Sequence, residues 1–386
     1  MISTDRNLFK DGSEVKQRII EYGSLAEELH IIVFNSGAKF EKQNFGNVFL
    51  YPTNSFTKFN YILDAIKTGK KIIENWKLKI ENSSDKFLVT SQDPFECGYV
   101  GYRISNTFKI PLHLQIHTDF LSPYFAGESV LNKIRVRLAK FLIPKADGIR
   151  VVSDRIRKSL VSSFPPEARL AKGGKFQVSR ISVLPIFVDI EKIKNAPIKT
   201  DLRRKYNKFG YIILMAGRLA KEKNIEMVFG ALAVITKEYS STGLVIVGEG
   251  AKKKRLINQA KRLGLENNIV FEDWTEDLAS YYKTADLFVL SSNYEGYGRT
   301  VVEAMAAGCP VIMTDVGLAG DVVRDRFNAF VIPVKDRQKL YEDLRLLLVS
   351  PERGKDLIFA GEQTLRDFPT KEQYLEQYKK SWEMCL

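Results

Sequence analysis

The sequence is poor in cysteine, with Cys97, Cys309 and Cys385 alone, and equally poor in histidine, with three in 386 residues. The cysteines are odd in number and widely spaced, without metal-like or redox-like spacing, so they read as reduced bystanders rather than a disulfide framework. Three histidines add too few ligands for a His/Cys metal centre, and no metal is expected. No run of eighteen apolar residues occurs, and the N-terminus lacks a basic-then-apolar leader pattern. Neither a membrane span nor secretion is therefore expected, and the expected location is cytoplasmic. Also missing is a Gly-x-Gly-x-x-Gly turn after a first strand, which argues against a nicotinamide-dependent oxidoreductase on similar sheets. Zinc-finger spacing, a helix-turn-helix pattern and an aromatic RNA-binding motif are absent as well, so nucleic acid is not an expected partner.

What is present fits a large α/β protein. Hydrophobic residues make up 45% of a chain longer than one core usually fills, so two domains are expected. The net charge of +13 is uneven: residues 1–190 carry +9 and the remainder +4. A basic first half suits an anionic lipid surface at the inner face of a membrane, or simply a well-solvated basic exterior.

Apolar runs alternate with helix-length amphipathic segments. Strands are expected at His30–Asn35, Val48–Tyr51, Phe87–Thr90, His113–His117, Gly148–Val152 and Arg180–Leu184, then at Tyr211–Ala216, Gly243–Val247, Asn268–Phe271, Leu287–Leu290, Val311–Thr314 and Ala329–Ile332. Ile225–Tyr239 and Lys252–Leu263 are among the helices between them. Such alternation predicts two parallel sheets with right-handed crossovers. The polar, lysine-bearing stretch Glu191–Lys205 reads as the linker. Three domains of the chain follow: 1–190, 191–365, and a C-terminal helix within 366–386, whose Tyr374, Tyr378 and Trp382 recur every four residues and would dock on the first domain.

In open parallel sheets, ligands bind beyond the C-terminal strand ends, so the loops after strands carry the functional signal. After Tyr211–Ala216 come Gly217, Arg218 and Lys223, the two cations suited to a diphosphate, one as a planar fork and one as a point charge. A solvated basic turn is the plainer alternative. After Gly243–Val247 comes Gly248-Glu249-Gly250, a turn that permits close backbone approach. After Leu287–Leu290 comes the most informative block, Glu295-Gly296-Tyr297-Gly298-Arg299-Thr300-Val301-Val302-Glu303. It reads as a glycine-bearing loop leading into a helix, with two carboxylates beside free helix N–H groups. Carboxylates grip sugar hydroxyls, and helix N–H groups grip phosphate.

Together, Gly217-Arg218 with Lys223-Asn224, Val247-Gly248-Glu249-Gly250, and the block from Glu295 through Glu303 to Gly308-Cys309-Pro310 resemble glycosyltransferase family 4. The first half resembles that family more thinly, through Leu114-Gln115-Ile116-His117, Ala146-Asp147 to Val152-Ser153, and Asp5-Arg6 to Gly12-Ser13 after a short first strand at Met1–Thr4. Two departures stand out: Pro185-Ile186-Phe187-Val188-Asp189 replaces a common Pro-Asn-Gly-Val-Asp, and Phe271-Glu272-Asp273-Trp274 replaces a glycine-containing turn near the base.

The resemblance implies the GT-B architecture, two doubly wound Rossmann-like domains facing a central crevice, and a retaining, nucleotide-sugar-dependent hexosyltransferase. No cofactor beyond the nucleotide-sugar co-substrate, and no metal, is implied. Carried over by position, Glu303 would bind the donor ribose, Arg218 and Lys223 its phosphates, and Glu295 the transferred sugar. Gly217, Gly248, Tyr297, Gly298, Arg299 and Thr300 would bring backbone close to the donor. His117, Glu295, Arg218 and Lys223 would be catalytic, while Gly12 and Ser13 would line the acceptor side.

The acceptor, a saccharide or lipid-linked saccharide of cell-surface polysaccharide or glycolipid assembly, belongs with the first domain. There, Ser129–Ile143 places Val130, Leu131, Ile134, Leu138, Phe141 and Leu142 on one helical face, with Lys133, Arg135, Arg137 and Lys140 elsewhere. That face would either lie on anionic lipid or cover the core. A non-catalytic nucleotide-sugar sensor or scaffold is the alternative function.

Overall fold

The computed structural model describes the chain apart from residues 59, 78–85 and 165–176. It separates into two compact units. The first comprises Met1–Val152, Ile156–Pro185 and Lys371–Leu386, and the second Ser153–Arg155 and Ile186–Thr370.

Continuous apolar runs build the second unit. In β9 (Tyr211–Ala216), every residue after Tyr211 is buried, as in a strand covered on both faces. The other strands of its sheet are β10 (Thr242–Val247), β11 (Ile269–Glu272), β12 (Leu287–Leu290), β13 (Val311–Thr314) and β14 (Phe330–Ile332). The order is β11-β10-β9-β12-β13-β14, and all pairings are parallel. Strand order thus reverses at β9, between β10 and β12. The helix Ile225–Glu238 buries Ile225, Val228, Phe229, Leu232 and Ile235 on this sheet, in one core with Ile213, Leu244 and Ile246.

The first unit holds β1 (Ile2–Ser3), β2 (Leu29–Val33), β3 (Gln43–Phe45), β4 (Val48–Pro52), β5 (Val89–Ser91), β6 (Leu112–Ile116), β7 (Gly148–Val151) and β8 (Ile181–Val183). They run in the order β3-β4-β2-β1-β5-β6-β7-β8, parallel except for the edge pair β3–β4. Short as it is, β1 is central, pairing Ile2 with both Ile32 and Ser91.

Two details differ from the sequence reading. The Glu191–Lys205 stretch forms two short helices, Ile190–Asn195 and Leu202–Lys205. It is held within the second unit, where the amides of Lys199 and Leu202 donate to Ser280 Oγ and Thr284 Oγ1 at 2.9 and 3.1 Å. The division falls instead at Pro185, whose carbonyl, with that of Leu184, accepts from Arg150 of the first unit. The helix Lys371–Glu383, read from sequence as docking on the first domain, lies in the first unit, its Tyr378 ring stacked on Tyr22 at 4.3 Å.

The basic helix spans Val130–Leu142. Of its residues, Asn132, Ala139 and Leu142 are buried, whereas Val130, Leu131, Ile134 and Phe141 are at least half exposed. Most of the apolar face is therefore not core-facing. The helix is held instead through Ala139 and Leu142 and by the Arg135–Glu96 ion pair at 2.9 Å.

Candidate active site

In the second unit, the loops after β9, β10 and β12 meet where the strand order reverses. They can approach because glycine replaces side chains at their contacts. A Cβ on Gly248 would lie 2.0 Å from the Gly217 carbonyl oxygen, and one on Gly250 would lie 2.4 Å from that of Leu219. Backbone then bonds to backbone: Gly217 N–H to Val247 O at 3.0 Å, and Leu219 N–H to Glu249 O at 2.8 Å. The space at Gly248 is thus used by Gly217, which makes its first role the joining of two loops.

Lys223, at the end of the β9 loop, forms an ion pair with Glu295 of the β12 loop, both side chains being largely buried. Ser292 Oγ donates to the same Glu295 oxygen at 2.7 Å. Ser291 Oγ donates to the Lys223 carbonyl at 2.8 Å, and Asn293 N–H to the Glu222 carbonyl at 2.7 Å, tying the two loops along their length. Arg218 stands differently. Its side chain is mostly in solvent and donates to Glu222 Oε1 at 3.0 Å, so the two cations expected to share a diphosphate here serve separate carboxylates.

The helix Arg299–Ala306 opens from Gly298, whose φ of +100° favours glycine. Its first N–H groups have no intrahelical partner, and its dipole favours an anion there. Glu303, one turn in, is buried. One of its oxygens pairs with Arg299 Nε at 2.6 Å, and the other accepts from Tyr282 Oη at 3.2 Å. Burial and the Glu303 carboxylate push the Tyr282 hydroxyl well up, which keeps it a donor. Tyr297 is buried, its carbonyl accepting from Leu318 N–H at 3.0 Å, and Thr300 follows in the first turn.

Glu295 and Glu303 are therefore each held by a cation and a hydroxyl, the arrangement needed to fix carboxylates that receive hydroxyl donors. Tyr282, Ser292 and Glu222 were not singled out from sequence. Ser292 lies just before the informative block, but nothing local marks Tyr282, which reaches Glu303 from a neighbouring helix.

Glu272, at the end of β11 in the departing segment, accepts from Lys205 Nζ at 2.7 Å and Tyr281 Oη at 2.6 Å, and also from Tyr206. Its carboxylate is committed to holding Leu202–Lys205 against the sheet. Trp274, beyond it, is about half exposed.

The first unit holds the remaining candidates. Gly12 has a φ of +73° with open space around a would-be Cβ, and Ser13 caps the helix Glu14–Gly23 by accepting from Lys16 N–H at 3.2 Å. Its hydroxyl donates in turn to the Asn7 carbonyl at 2.7 Å. His117 follows β6, with Nε2 3.3 Å from Gln115 Oε1. Burial and the nearby Arg150 guanidinium push its pKa down to about 3, so the ring is neutral near pH 7.

Among the described residues, no group of three or more His, Cys, Asp or Glu residues is placed to hold a metal ion, and no helix is long and apolar enough to cross a membrane.

Residues 199–364 match the protein family described as glycosyl transferases group 1. The chain is 27% identical over 262 residues to alpha-monoglucosyldiacylglycerol synthase of Streptococcus pneumoniae, a match covering 64% of this chain and 56% of that protein. It therefore spans little more than half the length of that relative. It is 25% identical over 367 residues to an uncharacterised glycosyltransferase of Methanocaldococcus jannaschii, covering 93% of this chain and 87% of the other. The structure of Anabaena HepE in complex with UDP and glucose superimposes with a TM-score of 0.75 at 19% identity, covering 99% of this chain and 98% of that one. The shared fold is GT-B.

Proposed function

We propose, for a chain whose residues 199–364 match the group 1 glycosyl transferases, that it is a retaining hexosyltransferase. It would move a sugar from a UDP- or GDP-sugar to a saccharide or lipid-linked saccharide. The observation that carries this reading is the Lys223–Glu295 pair at the point of strand reversal, where parallel sheets bind ligands, beside the N-terminus of the Arg299–Ala306 helix.

In this reading, Glu303 receives the ribose hydroxyls and Glu295 those of the transferred sugar. The diphosphate meets Lys223, the exposed fork of Arg218 and the backbone of Tyr297, Gly298, Arg299 and Thr300. As the anomeric carbon–oxygen bond breaks, the bonding pair leaves with the diphosphate. The acceptor oxygen bonds to the same face of that carbon, and its proton passes to the departing phosphate oxygen. Negative charge grows on the phosphate as this happens, so fixed cations and helix N–H groups stabilise the transition state more than the ground state. His117 would approach the sugar from the first unit, with Gly12 and Ser13 on the acceptor side.

A lipid-linked acceptor is favoured by the helix Val130–Leu142, whose exposed Val130, Leu131, Ile134 and Phe141 lie among Lys133, Arg137 and Lys140. These three cations form no ion pair among the described residues. Exposed apolar side chains flanked by free cations suit an anionic membrane surface. The name of the pneumococcal relative points to a glycolipid product as well.

The test is a panel of UDP- and GDP-sugars with saccharide and glycolipid acceptors, scored for nucleotide release. Release that depends on Glu295 and on an acceptor supports transfer. Binding without release in every combination would favour the sensor reading.

A further inference from the structure

Gln115 and His117 lie two residues apart at the end of β6, and Arg150 is the register partner of Gln115 on β7. Arg150 is a buried cation whose hydrogen bonds all go to neutral oxygens: Leu184 O at 3.2 Å, Pro185 O at 3.0 Å, Tyr374 Oη at 2.9 Å and Gln115 Oε1 at 3.0 Å. A guanidinium can only donate, so the Gln115 amide must turn its oxygen toward it. The other contacts agree with that orientation. Gln115 Nε2 donates to Thr90 Oγ1 at 3.1 Å, and Tyr378 Oη donates to Gln115 Oε1 at 2.9 Å.

The third and longest contact of this amide oxygen is His117 Nε2 at 3.3 Å. An amide oxygen accepts only, so Nε2 must carry hydrogen. A neutral ring protonated there has its lone pair on Nδ1, for which no hydrogen-bond partner exists among the described residues.

We infer that Gln115, Arg150 and Tyr378 are positioning residues that hold His117 as a neutral, Nε2-protonated imidazole, so that it meets a hydroxyl as an acceptor through Nδ1. Tyr374 and Tyr378 stand on the helix Lys371–Glu383, so the end of the chain sets the tautomer of a residue more than 250 positions earlier. The buried positive charge of Arg150 works in the same direction, since it opposes a second proton on the ring. His117 is accordingly suited to orient a hydroxyl and unsuited to act as a proton donor. The consequence for turnover rests on the proposed transfer reaction, whereas the tautomer does not.

The experiment is long-range proton–nitrogen NMR on the full chain labelled at its histidines. His30, His113 and His117 give three ring systems, assigned by single His→Gln variants. The expected result at pH 7 is His117 protonated on Nε2 alone, with a mixture of tautomers in Gln115→Leu and a partial shift in Tyr378→Phe. In turnover, Gln115→Leu should lower kcat about 10–100-fold with donor KM little changed, by analogy with the loss of a group that orients a metal-bound histidine. Wild-type His117 protonated on Nδ1 or on both nitrogens would overturn the inference, as would an unchanged tautomer in folded Gln115→Leu. If Gln115→Leu does not fold, the wild-type spectrum and Tyr378→Phe decide. Full turnover by His117→Ala would instead remove the catalytic role of His117 and leave the tautomer assignment standing.

Discussion

Lys223 and Glu295, 72 residues apart in sequence, are ion-paired across the reversal point of the second sheet. One stands after β9 and the other after β12, so the pair closes the gap between two loops that would otherwise splay. In the proposed reading, an arriving diphosphate would compete for the Lys223 ammonium, which would tie donor binding to the position of Glu295.

Removing Lys223 should therefore affect both stability and binding. A double-mutant cycle of Lys223→Met and Glu295→Leu, followed by urea unfolding, should give a coupling energy of about 1–3 kcal/mol, as for a partly buried charged hydrogen bond. Lys223→Met should also weaken nucleotide-sugar affinity by about 1.4–2.7 kcal/mol, or roughly 10- to 100-fold. Additivity in the cycle would show that the pair is not a functional unit.

Gly248 and Gly12 both have positive φ but differ in surroundings. Gly248→Ala forces a methyl into the Gly217 carbonyl and should cost about 2–5 kcal/mol through strain and overpacking together. Gly12→Ala meets open space and should cost only about 1–2 kcal/mol, from backbone conformation alone. Thermal unfolding of the two variants separates the effects, and equal losses would contradict the close loop approach.

His113 is fully buried, its Nδ1 2.9 Å from Thr90 Oγ1, and burial pushes its pKa down to about 3. In the unfolded chain it takes up a proton near pH 6.5. Between these values the unfolded state binds more protons, so stability is full above pH 6.5 and falls as the pH is lowered. Lowering the pH from 6.5 to 5 should remove about 2 kcal/mol through this one residue. Denaturant titrations of wild type and His113→Gln at the two pH values check this, and an equal loss in both would contradict it.

The helix Val130–Leu142 yields a surface prediction. Val130→Asp with Ile134→Asp should abolish sedimentation with anionic vesicles at low salt while changing fold stability by no more than about 0.5 kcal/mol per site, as is usual for exposed positions. Replacing Lys133, Arg137 and Lys140 by serine should weaken that binding by about 1 kcal/mol per cation. Wild-type protein that ignores anionic vesicles at low salt would remove this surface from the account.

How far the fold can be read in advance depends on what each element packs against. Tyr211–Ala216 was legible to the residue because both faces are covered, which makes an unbroken apolar run. Gln43–Phe45 was not, being three residues of an antiparallel edge with little apolar content. Periodicity located the helix at Ser129–Ile143 but could not tell whether its apolar stripe was covered, and that stripe stands mostly in solvent. The donor-side block around Glu295 and Glu303 was legible because strand, loop, glycine and helix follow one another locally. Gly248 and Arg150 were less so. Their partners, the Gly217 carbonyl and Tyr374, lie 31 and 224 residues away, and only folding brings them together.

The most direct test of the central claim is calorimetric titration of UDP- and GDP-sugars into wild type, Lys223→Met and Glu303→Ala. The account predicts saturable binding of at least one nucleotide sugar to wild type, weakened at least tenfold, or about 1.4 kcal/mol, in each variant. Absence of binding across the panel, or undiminished affinity in folded Lys223→Met and Glu303→Ala, would contradict it.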